Sequence, residues 1–197
     1  GDVYKRQKKL CGLFNFTVQE VEGVEADDVI AALVSNFSKD KILISSPDKD
    51  LTQLVNENVI QHNSMSDIFF DENGVKEKFG VLPNKVAELL ALVGDKSDNI
   101  PGITKVGEKT AAKWLNEYGS LDEVIKNAEN ITGKVGENLR EEKNVLQRNF
   151  FLVSLKNDIN LGLQKSDISI PKANSSGLQE FYKDLEFNTF IEHEDNK

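Results

Sequence analysis

Apolar residues recur along this chain with two periods, and the changes of period mark its elements. Across Ala26–Phe37, the residues Val29, Ile30, Leu33, Val34 and Phe37 fall at helical spacing, which predicts an amphipathic helix with Asp27 and Asp28 in its first turn. Lys41–Ser46 (KILISS) is a continuous run ended by Ser46-Pro47 and predicts a buried strand, after which Asp48–Val55 starts a short helix. Val59–His62 and Ile68–Phe70 predict strands joined by the polar turn Asn63–Asp67. Phe16–Val21 alternates and predicts a further strand, while Lys8–Phe14 carries a short apolar face. Asn73–Phe79 and Asn84–Val93 read as helices separated by Gly80 and Pro83, the second delivering Asp95 and Asp98 at its C-terminal end.

Beyond Pro101 only the helical period persists. Glu108–Tyr118, Leu121–Ala128 and Val135–Leu146 predict helices punctuated by Gly107, Gly119 and Gly133, and Phe150–Leu155 is a hydrophobic run. Ser166–Gly177 reads as a linker and Leu178–Phe190 as a final helix. Gly1–Gln7 fits neither period and reads as a reading-frame remnant. The pattern predicts an α/β protein: a partial parallel-type sheet with flanking helices, followed by an all-helical extension that opens on a helix-hairpin-helix.

Composition narrows the class. Hydrophobic residues at 39% can supply a core, and the single cysteine, Cys11, leaves no internal disulfide. No apolar run approaches the roughly 18 residues of a membrane span, so the expectation is a cytoplasmic monomer with no membrane partner. The net charge of 24 − 33 = −9 argues against a nucleic-acid binder until the acids are located. Seven of them form three tight groups: Glu25, Asp27 and Asp28; Asp48 and Asp50; Asp95 and Asp98. Like charges gathered at one place raise one another's pKa, and hard divalent cations, Mg²⁺ or Mn²⁺, remove that cost.

Each group alone has an ordinary explanation. Asp27 and Asp28 suit the positive end of a helix dipole, and Asp48 suits a helix N-cap. Asp95 and Asp98 sit at a helix C-terminus, where acids are unfavourable, with Asp98-Asn99 a possible turn. The combination says more, because sites in open α/β sheets form beyond the carboxyl ends of the strands. Immediately downstream, Gly102–Ala111 is a glycine-punctuated turn into a helix, with Lys105 and Lys109 beside it. Backbone N–H groups near Gly107, Lys109 and Thr110 can meet phosphate oxygens there. Metal-binding acids beside a phosphate-binding hairpin predict metal-dependent phosphodiester chemistry on nucleic acid. Trp114 reads as core, as do Phe150 and Phe151, and His62 as a strand-surface residue.

Val24–Ile30, Ser46–Val55 and Leu92–Gly102, continued through Val106–Ala111 and Ile159–Leu163, resemble the 5′-to-3′ exonuclease domain of bacterial DNA polymerase I, within the flap endonuclease superfamily. The resemblance implies cleavage of 5′ flaps, nicked duplex and primer RNA in replication and repair. It implies two divalent ions held by Glu25, Asp27, Asp28, Asp48, Asp50, Asp95 and Asp98, with Asp27, Asp48, Asp50 and Asp95 catalytic. It further implies DNA contacts at Gly102, Lys105, Gly107, Lys109 and Thr110, and a K⁺ ion on the hairpin carbonyls. On this basis 8–100 is the C-terminal part of the nuclease core, 101–163 the helix-hairpin-helix subdomain, and 164–197 a linker and the start of a bridge to a polymerase. The family's first strand with its aspartate, and its basic arch, have no counterpart here, which predicts an N-terminally shortened copy with exposed apolar edges. Two other readings compete. One is a DNA-binding module without chemistry. The other is an acid-rich Mg²⁺ phosphotransferase or receiver-type domain, which leaves Gly102–Ala111 unexplained.

Overall fold

The computed structural model describes residues 2–168 and 172–194, with side chains to residue 191, and divides into two compact units. The smaller combines residues 1–24 and 160–197, the larger residues 25–159. The chain opens in the smaller unit with helix α1 (Asp2–Leu13). Residues 2–7 are therefore helical, where the sequence pattern predicts no element. Phe16–Val21 is irregular and not a strand, because alternation without a partner strand leaves its backbone groups unpaired.

The larger unit begins with α2 (Ala26–Asn36), followed by β1 (Ile42–Ser45), a 3₁₀ turn over Asp50–Leu54, β2 (Val59–Asn63) and β3 (Ile68–Phe70). β1 and β2 are parallel, β2 and β3 antiparallel, and the sheet order is β1-β2-β3. Val59 and Ile44 face α2 and pack with Val34 and Leu51. The opposite sheet face, with Leu43, Ile60 and Phe69, is exposed.

Next come α3 (Glu72–Phe79) and α4 (Val86–Val93). Asp71 caps α3 by accepting the Gly74 N–H at 2.8 Å, and Gly80 ends it in the left-handed region. α4 is buried along Leu89–Leu92 and ends at a two-residue ladder, β4 (Gly94–Asp95) against β5 (Ile100–Pro101). After it follow α5 (Glu108–Tyr118), α6 (Leu121–Lys126), α7 (Gly133–Glu142) and α8 (Leu146–Val153). The predicted helix Val135–Leu146 is thus two helices joined by a 3₁₀ turn at Lys143–Val145, and Phe150–Leu155 lies mostly in the second. One core runs from Val55 through Leu92 and Trp114 to Val153, so the α/β segment and the helical segment share their buried face. Phe150 packs on this core, but Phe151 is exposed, on the outer side of α8.

The smaller unit closes with α9 (Ser175–Asp184) and α10 (Asn188–Glu194). Leu178, Phe181 and Tyr182 pack there with Leu10, Leu13 and Phe14. The single predicted terminal helix is broken at Glu186, whose φ of 58° is left-handed. Among the described residues no helix is long and apolar enough to cross a membrane.

The turn after α4 closes on two glycines. Gly94 has φ 79°, and a Cβ on Gly102 would collide with the Val93 carbonyl. Gly102→Ala is therefore expected to lower stability by about 1–3 kcal/mol through forced backbone displacement, read as a fall in urea midpoint. Gly107→Ala, where a Cβ meets open space, is expected to leave the midpoint nearly unchanged.

Candidate metal centre and adjoining hairpin

Three separate elements deliver the carboxylates, all within the larger unit. Asp27 and Asp28 lie in the first turn of α2, after the cap residue Glu25, whose side chain makes no capping bond. Asp48 and Asp50 follow β1. Here hydrogen bonds chain along the backbone: Ser46 Oγ accepts the Asp48 N–H at 3.1 Å, and Asp48 Oδ1 accepts the Asp50 N–H at 2.9 Å. Asp95 and Asp98 lie on the β4–β5 turn, where Asp95 Oδ1 accepts the Ser97 N–H at 2.8 Å and the Ser97 hydroxyl.

The fold brings Asp50, Asp95 and Asp98 together, with one oxygen from each within 4.8 Å of the others. Asp27 stands close enough to Asp48 and Asp98 to feel their charge. Glu25 is exposed, and Asp28 is engaged elsewhere, accepting the Lys156 N–H at 2.9 Å.

The electrostatics follow from this crowding. Burial, reinforced by the charge of Asp48, pushes Asp50 up to about 6. Burial and the neighbouring acids Asp48, Glu25, Asp28 and Asp98 also raise Asp27. Asp95 goes the other way: its burial is more than offset by hydrogen bonds from Lys49 and Ser97, which hold it at about 2. The buried Asp50 Oδ1 has no hydrogen-bond partner. A carboxylate with an orphaned, buried oxygen, gathered with two further carboxylates, fits a hard divalent cation, so the donor set suits Mg²⁺-type ions.

Sequence reasoning missed the residues that hold these loops. Gln61, buried in β2, donates its amide to the carbonyls of Ser46 at 2.9 Å and Asp48 at 2.6 Å. Asn149, fully buried in α8, donates to Ala91 O at 3.2 Å and Pro101 O at 2.6 Å, bracing both ends of the β4–β5 turn. Their available signal was a polar residue at a position whose neighbours on the same face are apolar, Val59 for Gln61 and Leu146 and Val153 for Asn149.

Beyond the turn, Gly102 is enclosed against Val93 and Gly94, while Lys105, Gly107 and Lys109 are exposed and Thr110 half-buried. Gly107 precedes α5 without any side-chain cap, and Lys105 adopts φ 65°. α7 grips this loop: Glu142 accepts the Thr104 N–H and Asn138 donates to the Thr104 carbonyl, each at 2.7 Å. Trp114 is buried. His62 stacks on Phe69 at the sheet surface and bonds Asp67 at 2.8 Å. Arg140 spends its guanidinium on the carbonyls of Ala128 and Ile131.

The carboxylate loops thus lie on an α/β half, joined to a helical half that opens on a glycine hairpin. Two family models match accordingly: the 5'-3' exonuclease N-terminal resolvase-like domain over residues 3–80, and the 5'-3' exonuclease C-terminal SAM fold over residues 81–176. The chain belongs to the 5'-3' exonuclease family.

It is 41% identical to a 5'-3' exonuclease of Aquifex aeolicus, covering 95% of this chain and 65% of that protein. It is 38% identical to DNA polymerase I of Caldicellulosiruptor bescii, covering 93% of this chain and 23% of that one. The chain thus spans just under two thirds of the first relative and less than a quarter of the second. Among solved structures it resembles the phage T5 5'-exonuclease with bound zinc, at 26% identity and a TM-score of 0.72 over 92% of this chain and 65% of that one. It also resembles a T5 flap endonuclease complex with DNA and metal ions, at 26% identity and a TM-score of 0.68 over 74% of this chain and 55% of that one.

Asp50 gives a pH test. Its folded-state value near 6 lies above the ordinary 3.8, so the ion-free folded chain holds the proton more tightly than the unfolded chain does. That contribution to stability is present below pH 4 and lost as pH rises through 6. In EDTA, the melting temperature is expected to fall between pH 4.5 and 7 relative to Asp50→Asn, by differential scanning fluorimetry. With Mn²⁺ present the difference should shrink, because an ion neutralises the carboxylate.

Proposed function

We propose that this chain is a 5′-to-3′ exonuclease and 5′-flap endonuclease that hydrolyses phosphodiester bonds of DNA and primer RNA at flaps, nicks and duplexes with a single-stranded 5′ end, acting as a monomer. The observation that carries this reading is the convergence of Asp50, Asp95 and Asp98 from two loops, with Asp27 at their margin. In this reading Asp27, Asp48, Asp50, Asp95 and Asp98 hold two Mg²⁺ or Mn²⁺ ions, and Glu25 and Asp28 act largely through ion-bound water. Divalent ions, when bound, supply hydroxide at neutral pH and stabilise charge on the leaving oxygen. The protein's own contribution is orientation. Gln61 fixes the turn that carries Asp48, and Asn149 fixes the turn that carries Asp95. No histidine is needed as a base.

Phosphate binding falls to the hairpin. The uncapped start of α5 offers N–H groups at the positive end of a helix dipole, and Lys105 and Lys109 add charge. A K⁺ ion on the loop carbonyls would add to that field. Such contacts grip the backbone without reading bases, so recognition is by duplex shape.

Two measurements test this reading. Asp48→Ala combined with Asp50→Ala is expected to abolish EDTA-sensitive cleavage of a labelled 5′-flap duplex while leaving binding in Ca²⁺ within about threefold; equal loss of binding would refute the metal assignment. Lys105→Ala with Lys109→Ala is expected to weaken binding of all sequences alike and reduce the salt slope by roughly 1–2. An unchanged slope would show that the hairpin does not meet phosphate.

A further inference from the structure

Asp95 is the most enclosed acid of the centre, with a side chain only 4% exposed. Both its oxygens already have partners. Oδ1 accepts the backbone N–H and the hydroxyl of Ser97, bonds internal to the β4–β5 turn. Oδ2 accepts the ammonium of Lys49, which comes from a different element, the turn after β1. With Oδ1 filled by the two Ser97 bonds, an ion that binds Asp95 comes to Oδ2, where it shares the oxygen with Lys49 or displaces it. The Ser97 bonds belong to the turn's own closure. Lys49 is the partner that can yield, because it reaches in on a flexible four-carbon stem and its side chain is 41% exposed.

We propose that Lys49 is an internal competitor for the divalent ion, an ammonium group that occupies Asp95 Oδ2 and opposes an ion loading there, and so sets the metal affinity of the site. The proposal rests on the metal-site reading above. Its logic is electrostatic. Asp48 and Asp50 flank Lys49 in the chain and Asp95 faces it, so one positive charge offsets a crowd of acids that otherwise repel one another. Once an ion arrives, the same charge sits beside a cation and opposes it. The opposite role, an ammonium that merely orients Asp95 as a ligand, predicts the reverse effect on affinity. The two roles therefore differ in sign and not only in size.

The test is Mn²⁺ binding to the whole chain, followed by electron paramagnetic resonance of free Mn²⁺, for wild type, Lys49→Met and Lys49→Arg at pH 7.5. Met keeps the stem and removes the charge. It is expected to tighten Mn²⁺ binding about tenfold, from relief of the repulsion between +1 and +2 charges about 6 Å apart at the water-like dielectric of about 80 that suits the half-exposed Lys49 side chain. Arg, which keeps the charge, is expected to bind within about threefold of wild type, a difference of well under 1.4 kcal/mol. Circular dichroism checks each fold, and Lys49→Gln replaces Met if Met perturbs it. Unchanged or weaker binding by the uncharged variant overturns the competitor role while leaving the metal site intact. Absence of Mn²⁺ binding by wild type overturns the metal-site reading, and this proposal with it.

Discussion

The backbone contact between Gly94 and Gly102 is the constraint on which the functional half of the molecule depends. Neither residue can carry a side chain there, because the strands of the β4–β5 turn close directly on the end of α4. The Ile103 N–H then returns to the Leu92 carbonyl at 2.8 Å, so the chain leaves and re-enters the same helix end within a dozen residues. Asn149 completes the clamp from α8. A carboxylate turn and a hairpin proposed to meet phosphate could be joined by any linker. Here they are fixed to one helix terminus, so their separation cannot drift. A site for phosphodiester chemistry needs that rigidity, since misplacement on the order of 1 Å costs heavily in rate.

The carboxylates themselves work against the fold. Asp50 is held at a raised pKa with an oxygen unsatisfied, and Asp27 is raised by its neighbours. The chain contains this repulsion by local means: Ser97 hydrogen bonds on Asp95, the Asp48-to-Asp50 backbone bond, and one ammonium from Lys49. None of these removes the Asp50 orphan. Strain of this kind, kept at a site and tolerated because the surrounding core is well packed, is the mark of a function that needs it. The nearby core supplies the compensation through Leu51, Leu89 and Leu92, all fully buried.

Much of this was legible in the sequence. The limits of α5 and β3 and the start of α2 coincide with the pattern, since Gly107, Gly119 and the acids of the first turn leave little freedom. The three acid groups stood out because they interrupt apolar runs. What escaped was whatever depends on a partner distant in sequence. Alternation at Phe16–Val21 looks like a strand until no neighbour pairs with it. The run at Phe150–Phe151 reads as core from either residue, but a helix turns one inward and the other outward, and only the packing of α8 decides which. Gln61 and Asn149 are inward amides whose meaning lies in the carbonyls they reach, 13 to 58 residues away in sequence. The spacing of acids predicted a cluster; it could not predict that Lys49, between two of them, would bond to a third.

The net charge of −9 is the remaining tension for the proposed action on DNA, and the disposition of the basic residues bears on it. Lys134 pairs with Glu137, Lys126 with Glu123, and Arg140 serves backbone carbonyls, so these cations add little to the outward field. Lys105 and Lys109, by contrast, form no ion pair among the described residues and lie exposed beside an uncapped helix start. The acids of the centre concentrate where divalent ions would neutralise them, whereas at the hairpin Lys105 and Lys109 are only partly offset by Glu108 in the first turn of α5 and by Glu142, which is engaged with the Thr104 N–H. On the proposed reading, the ion-free carboxylates repel a polyanion and the repulsion weakens as ions load, which makes affinity for nucleic acid near the centre conditional on metal.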